Sequence, residues 1–354
     1  MLEQLAVRGS AAQRAWARHE LQVDRAARAR RGERQLSRRT SISVRRPGGS
    51  PERTIYDSHR SHADPPHGRR VRAEGWPRTG DAAVDEAYDG MGATYDLLWQ
   101  EYGRNSLDDA GIALTAYVHF GVQYGNAFWD GAGMLFGDGD GTIVGRTTQA
   151  IDVIGHELTH GLLARTARLD YLGESGALNE SICDVFGSLV RQRVMGHTAV
   201  EASWLIGEGV LAPGVAGLAL RSLRAPGTAY DDALVGADPQ PSHMRDYVSI
   251  DGSIHANSGI PNHAFYLAAV RLGGHAWERA GRVWYESICD EAIAHDTGFE
   301  QFAQLTIATA ERLYGDGSPE PDAIGAAWRA VGVLSGAQPA ATAGASALES
   351  PQEP

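Results

Sequence analysis

Apolar residues recur every three or four positions through the second half of the chain, a spacing that predicts helices. In 149–165 the apolar set is Ile151, Ile154, Leu158 and Leu162, which forms one stripe on a helix of 3.6 residues per turn. A second helix fits 176–194, and others fit 261–272, 277–294, 299–313 and 322–331. Before them, 52–145 is rich in Gly, Asp and Asn, with short β-like runs such as 116–120 and 133–136. That texture predicts a mostly β, loop-rich half. The first fifty residues differ again: Leu2, Leu5, Ala12, Trp16 and Leu21 can share a helical face among crowded arginines. Arg46-Pro47-Gly48-Gly49-Ser50-Pro51 reads as the linker that ends this arm. After Ser335 the Ala/Gly/Ser/Pro-rich composition predicts a disordered tail. The expected class is α+β: an arm over 1–50, a β-rich lobe over 51–150, a helical lobe over 151–333 and a tail over 334–354.

Composition narrows the function classes. At 354 residues the chain can bury a sizeable core. No run approaches the roughly 18 apolar residues of a membrane span, and residues 1–18 lack the apolar core of a secretory signal. A cytoplasmic location is therefore expected for the chain as written, with secretion by a non-standard route left open. Two cysteines, Cys183 and Cys289, do not make a disulfide scaffold, and Cys183 reads as a small core residue. The net charge of −12 hides an asymmetry. The arm has twelve Arg against four acidic residues, +8, so the remainder carries −20, and the chain has no Lys. A body so acidic repels phosphate, so no nucleic-acid partner is expected, and the chain is expected to be a monomer.

The chemistry lies on the first two long helices. In His156-Glu157-Leu158-Thr159-His160 the two imidazoles stand four residues apart, so they leave one helix face a turn apart and can grip one zinc. Glu157 is displaced about 100° around that helix, where a base must sit to take a proton from a water beside the metal. Thirteen histidines make the motif alone only a moderate signal. Glu180 on the following helix can supply a third ligand and leave a position open, as catalytic zinc requires. Asp184, one turn on, can accept the free ring N–H of His156 and fix its tautomer.

These residues resemble a known family. The run 155–160, then 176–187, then His255-Ala256-Asn257-Ser258-Gly259-Ile260-Pro261-Asn262 are similar to motifs of the thermolysin-like neutral metallopeptidases. Asn126-Ala127-Phe128-Trp129 and Gly137-Asp138-Gly139-Asp140-Gly141 resemble its β-rich half. The similarity spans about 53–333, and a short arm without a signal peptide is most similar to the protealysin-like branch. The resemblance implies a two-lobed fold with a zinc cleft between the lobes, and a zinc endopeptidase made as a self-processed precursor. It implies that His156, His160 and Glu180 hold zinc, that Glu157 is the base, and that Tyr171 and His255 stabilise the oxyanion. Asn179 and Asp184 would support the ligands. Asn126 and the Ala127 backbone would hold an extended substrate, and Arg221 the carbonyl after the scissile bond. Val144, Val153 and Leu220 would line an apolar pocket for the residue after that bond.

Three departures stand out. Asp251 lies four residues before His255, where the family has an Asp five before, at the position of Ile250. Asp152 and Glu208 match carboxylates of the family's paired calcium site, but Arg191, Ser203 and Leu205 replace three others, so calcium is possible only at a degraded site. The arm begins just inside the motif that usually opens it. A catalytically idle binding protein, and an enzyme acting on something other than peptides, remain alternatives.

Overall fold

The computed structural model describes residues 1–37, 48–63, 66–250 and 253–335. The expectations for Asp251, for Arg46 and Pro47 of the arm's linker and for nearly all of the tail lie outside them. The first lobe carries a five-stranded sheet in the order β2-β1-β3-β5-β4. Its strands are β1 (Arg53–Asp57), β2 (Arg69–Ala73), β3 (Leu114–Val118), β4 (Ala127–Trp129) and β5 (Met134–Phe136). β3 runs parallel to β1 and β5, while β2 and β4 pair antiparallel at the two edges. Along β3, buried Leu114, Ala116 and Val118 alternate with less buried positions, the period of two that sets one face on a core.

A long helix also crosses this lobe. The arm supplies α1 (Leu2–Arg8) and α2 (Ala11–Ser37), and α3 (Ala82–Asp96) follows β2. Sequence patterning assigns no helix to 82–96. Its start is capped by Asp81, whose carboxylate accepts from the Ala83 and Val84 amides. The arm differs from expectation as well, because the single face proposed for it is broken at Gly9 and Ser10, and Ala12 is exposed. Of the expected face Leu5 is buried and Leu2 and Trp16 are partly buried against the core, while Ala17 and Glu20 are buried in addition.

The second lobe is helical: α4 (Ile151–Leu163), α5 (Gly173–Met195), α6 (Ile254–Asn257), α7 (Gly259–Leu272), α8 (Ala280–Cys289), α9 (Phe299–Tyr314) and α10 (Pro319–Ala330). Between α5 and α6 lies a small ribbon of β6 (Leu205–Ile206) and β7 (Arg221–Ser222). Trp284 of α8 and Trp328 of α10 stack at 6.0 Å, with Phe265 and Phe302 packed edge-on to Trp284. Each fully buried side chain of this size contributes about 1.5–3 kcal/mol.

Glycine sets the crossing of α4 and α5. A Cβ on Gly155 would lie 3.0 Å from the Gly187 Cα, and one on Gly187 would lie 2.3 Å from the Asp152 carbonyl oxygen. The helices therefore touch backbone to backbone, which brings the side chains of their shared face within coordinating range.

Candidate metal centre and active site

Three donors meet where α4 faces α5. Glu180 places Oε2 3.5 Å from His156 Nε2 and Oε1 3.6 Å from His160 Nε2. A tetrahedral ion with bonds of about 2.0–2.1 Å holds its ligand atoms about 3.3–3.4 Å apart, so this donor set fits zinc. The other ring nitrogens are engaged behind: His156 Nδ1 donates to Asp184 Oδ1 and His160 Nδ1 to Asn179 Oδ1, each at 2.8 Å. Both tautomers are thus fixed with the Nε2 lone pairs aimed at the common point.

Cys183 gives a second grouping, since ligand atoms of His156, His160 and Cys183 all lie within 4.8 Å of one another. Its Sγ reaches His160 from the Nδ1 side, at 3.2 Å, where Asn179 already binds. Cys183 is fully buried, so this side also offers no approach for a substrate, and the Glu180 side is the better metal locus.

Charge supports that choice. Glu157, Glu180 and Asp184 crowd the two imidazoles, and Arg221 is the cation among them. Burial works against ionising Glu180, yet the surrounding histidines hold its carboxyl well below the usual range. Burial likewise opposes charge on His156, but Asp184, Glu180 and Glu157 outweigh it and push its pKa up to about 10, so a metal bound there would take the place of the Nε2 proton. The pocket carries more negative charge than the chain itself balances, which suits a dication.

Of the remaining predicted residues, Glu157, Tyr171, His255 and Arg221 contact the residues of this cluster. Glu157 Oε1 lies 3.9 Å from His156 Nε2, while its Oε2 accepts from the Trp129 amide of β4 at 3.1 Å. That amide as the anchor of the Glu157 carboxylate is a contact the sequence pattern does not single out. Tyr171 donates its hydroxyl to Glu180 Oε1, and His255 Nε2 lies 3.3 Å from Glu180 Oε2. Arg221 forks onto Asp184, with Nε 2.8 Å from Oδ2 and Nη2 2.7 Å from Oδ1. Asn126 turns its Oδ1 to the Ala127 amide at 2.9 Å, beside the open edge of the sheet at β4. Val144 and Val153 are buried, and Leu220 is partly buried against the same core.

The arm reaches this region. Trp16 donates Nε1 to the Gln123 carbonyl at 2.9 Å, and the Gly125 amide donates to Glu20 at 3.0 Å. A Cβ on Gly125 would lie 2.7 Å from both the Trp16 ring and Val144. Neither Trp16 nor Glu20 is distinguished as a docking residue by sequence spacing.

Away from the centre, Arg191 sits where the resemblance leads one to expect a calcium carboxylate. It donates Nη1 to Asp152 Oδ2 at 3.0 Å and pairs through Nη2 with Glu208. Asp152 Oδ1 accepts from the Gly207 amide at 2.8 Å.

The model of the thermolysin metallopeptidase catalytic domain matches residues 53–164, and that of the family's alpha-helical domain matches 167–333. An extracellular metalloprotease of Pectobacterium carotovorum subsp. carotovorum is 51% identical over 81% of this chain and 82% of that protein. Protease PrtS of a Photorhabdus strain is 50% identical over 79% and 76%. A solved precursor of protealysin, a metalloproteinase from Serratia proteamaculans, is 48% identical, covers 94% of this chain and 97% of its own, and superposes with a TM-score of 0.85. With both domains matched in order and relatives this similar along most of its length, the chain belongs to the thermolysin metallopeptidase family and is a zinc metalloendopeptidase.

Proposed function

We propose that His156, His160 and Glu180 hold one zinc per chain and that Glu157 is the general base of peptide hydrolysis. The observation that carries this is the Glu180 carboxylate spanning both Nε2 atoms, 3.5 and 3.6 Å away, with Glu157 alongside. When bound, zinc supplies Lewis acidity toward a peptide carbonyl and lowers the pKa of a water toward about 7. Glu157, held by the Trp129 amide, takes a proton from the attacking water and hands it to the leaving nitrogen. Tyr171 and His255 donate to the oxyanion as it forms. Asn126 and the Ala127 backbone align the substrate along the β4 edge, and Arg221, braced by Asp184, binds the carbonyl after the scissile bond. The buried apolar Val144 and Val153, with Leu220, favour an apolar residue there.

The arm acts as a pro-segment. Trp16 and Glu20 hold it against the Gln123–Gly125 turn beside the substrate edge, and the similar protealysin structure is that of a precursor. The active form is a monomer. It acts outside the cell, as the names of the extracellular relatives suggest; among the described residues no helix is long and apolar enough to cross a membrane.

Glu157→Gln tests the mechanism. The amide keeps the shape and the metal but cannot accept the proton, so kcat should fall by at least about 100-fold with zinc content unchanged. Comparable hydrolysis by the two proteins would remove Glu157 from the mechanism.

A further inference from the structure

Asp184 serves two masters. Its Oδ1 accepts from His156 Nδ1 at 2.8 Å and from Arg221 Nη2 at 2.7 Å, and its Oδ2 accepts from Arg221 Nε at 2.8 Å. A guanidinium fork draws a carboxylate toward the symmetric arrangement of two parallel bonds. Left to that pull, the carboxylate would swing toward Arg221 and bend away from the imidazole. A third group opposes the swing. Asn262, on α7, donates Nδ2 to Asp184 Oδ2 at 2.9 Å across 78 positions of sequence. Both residues are completely buried.

The amide orientation is forced, because Oδ1 turned to the carboxylate would set lone pair against lone pair. That leaves Asn262 Oδ1 buried, and among the described residues no group donates to it. A fold that wanted only packing here would be better served by an apolar side chain of the same size. The cost makes sense if the Nδ2 donor has a task.

We propose that Asn262 is a positioning residue that clamps the Asp184 carboxylate, so that it orients His156 while it braces Arg221. This rests on the reading of His156 as a metal ligand. Asn262 touches neither metal nor substrate; it acts through Asp184. Without the clamp, Arg221 keeps its fork, and the loss falls on the His156 side.

Asn262→Leu tests this by removing the donor and the unpaired acceptor at similar volume. Zinc Kd, from competition with a chelator, should rise about tenfold or more and kcat should fall about tenfold, as for other partners behind a ligand. KM should stay within about twofold because the Arg221–Asp184 fork persists. The thermal midpoint should hold or rise, whereas a merely structural Asn262 would give a lower midpoint with kcat and zinc affinity intact. Asn262→Ala, which cannot clash, repeats the comparison and decides it if Asn262→Leu does not fold. Zinc Kd and kcat within about twofold of wild type in the folded variant would overturn the proposal. Absence of peptidase activity in the wild type would instead count against the functional reading, and zinc Kd would still decide the role of Asn262.

Discussion

Arg191 extends its guanidinium from α5 to the buried Asp152 carboxylate of α4, 3.0 Å away, and pairs on its other side with Glu208. A cation that belongs to the chain thus lies between carboxylates that could otherwise share a metal ion. Stability should be nearly independent of calcium, since RT ln(1 + [Ca]/Kd) vanishes when Kd is high. A calcium-specific chelator should leave the thermal midpoint of the zinc-loaded Glu157→Gln protein unchanged. Arg191→Ala strands Asp152 and should cost about 2–4 kcal/mol, somewhat less than a fully buried pair because Arg191 is 28% exposed. A chelator-sensitive midpoint in the unaltered Arg191 protein would contradict this account.

The arm's grip can be weakened selectively. Trp16→Ala removes a hydrogen bond and its apolar contact, together about 2–3 kcal/mol. The unprocessed variant should then show higher initial peptidase activity than the parent, and a shorter lag before full activity. Glu20→Ala should act the same way through Gly125. Identical lag times in all three proteins would leave the arm without a restraining role.

Processing should fall within a narrow window. The α2 helix ends at Ser37, and the body is anchored from Gly49, whose amide donates to Tyr95 at 3.1 Å. Between them the apolar residues are Ile42 and Val44, which an apolar pocket beyond the scissile bond would select. Sequencing the processed protein should give Ile42 or Val44 as the new N-terminus. A digest of an unfolded protein should show cuts before Leu, Ile, Val or Phe; a dominant preference for charged residues there would refute the pocket.

His119 gives a pH dependence. Its ring bridges Asp138 and Asp81, at 2.9 and 3.1 Å, and tethers the α3 cap to the loop that carries Asp138. Its bond to Asp138 outweighs burial and raises its pKa to about 9. A raised histidine stabilises the fold fully below its ordinary value of about 6.5, and that contribution is lost as pH rises through about 9. The partly exposed pair limits the effect to about 1 kcal/mol. Thermal midpoints of the Glu157→Gln protein should drop between pH 6.5 and 9 relative to one also carrying His119→Gln. Parallel curves would exclude His119 as the cause.

The metal centre was legible because zinc chemistry prescribes both residue types and spacing. His156 and His160 announce a shared helix face, and Glu180 and Asp184 announce a second helix meeting it. The α3 helix was hidden by Gly90 and Gly92, poor helix formers that side chains from α4 and β1 crowd. A Cβ at Gly90 would lie 2.5 Å from Ile154, and one at Gly92 would lie 2.2 Å from Arg53. Neither constraint exists until the sheet and α4 are in place. Asn262 stood inside a recognisable motif, but its partner is supplied by another helix, and no local spacing encodes that meeting. Glu20 was hidden for the same reason, and Trp16, though placed on the arm's helical face, gave no sign of its partner; both partners lie more than a hundred positions away.

The backbone contact at Gly155 and Gly187 divides the labour of the protein. Metal geometry is decided on the rear of α4 and α5, where an added methyl would wedge the helices apart and spread the donors of both. The proposed substrate side is divided: Val144 and Leu220 on loops and Asn126 at a strand edge lie off that crossing, while Val153 sits on α4 and Arg221 is tied to Asp184 of α5. Changes at Val144, Leu220 or Asn126 can therefore retune what is cut while the coordination sphere stays as it is, whereas changes at Val153 or Arg221 reach the metal side through α4 and Asp184.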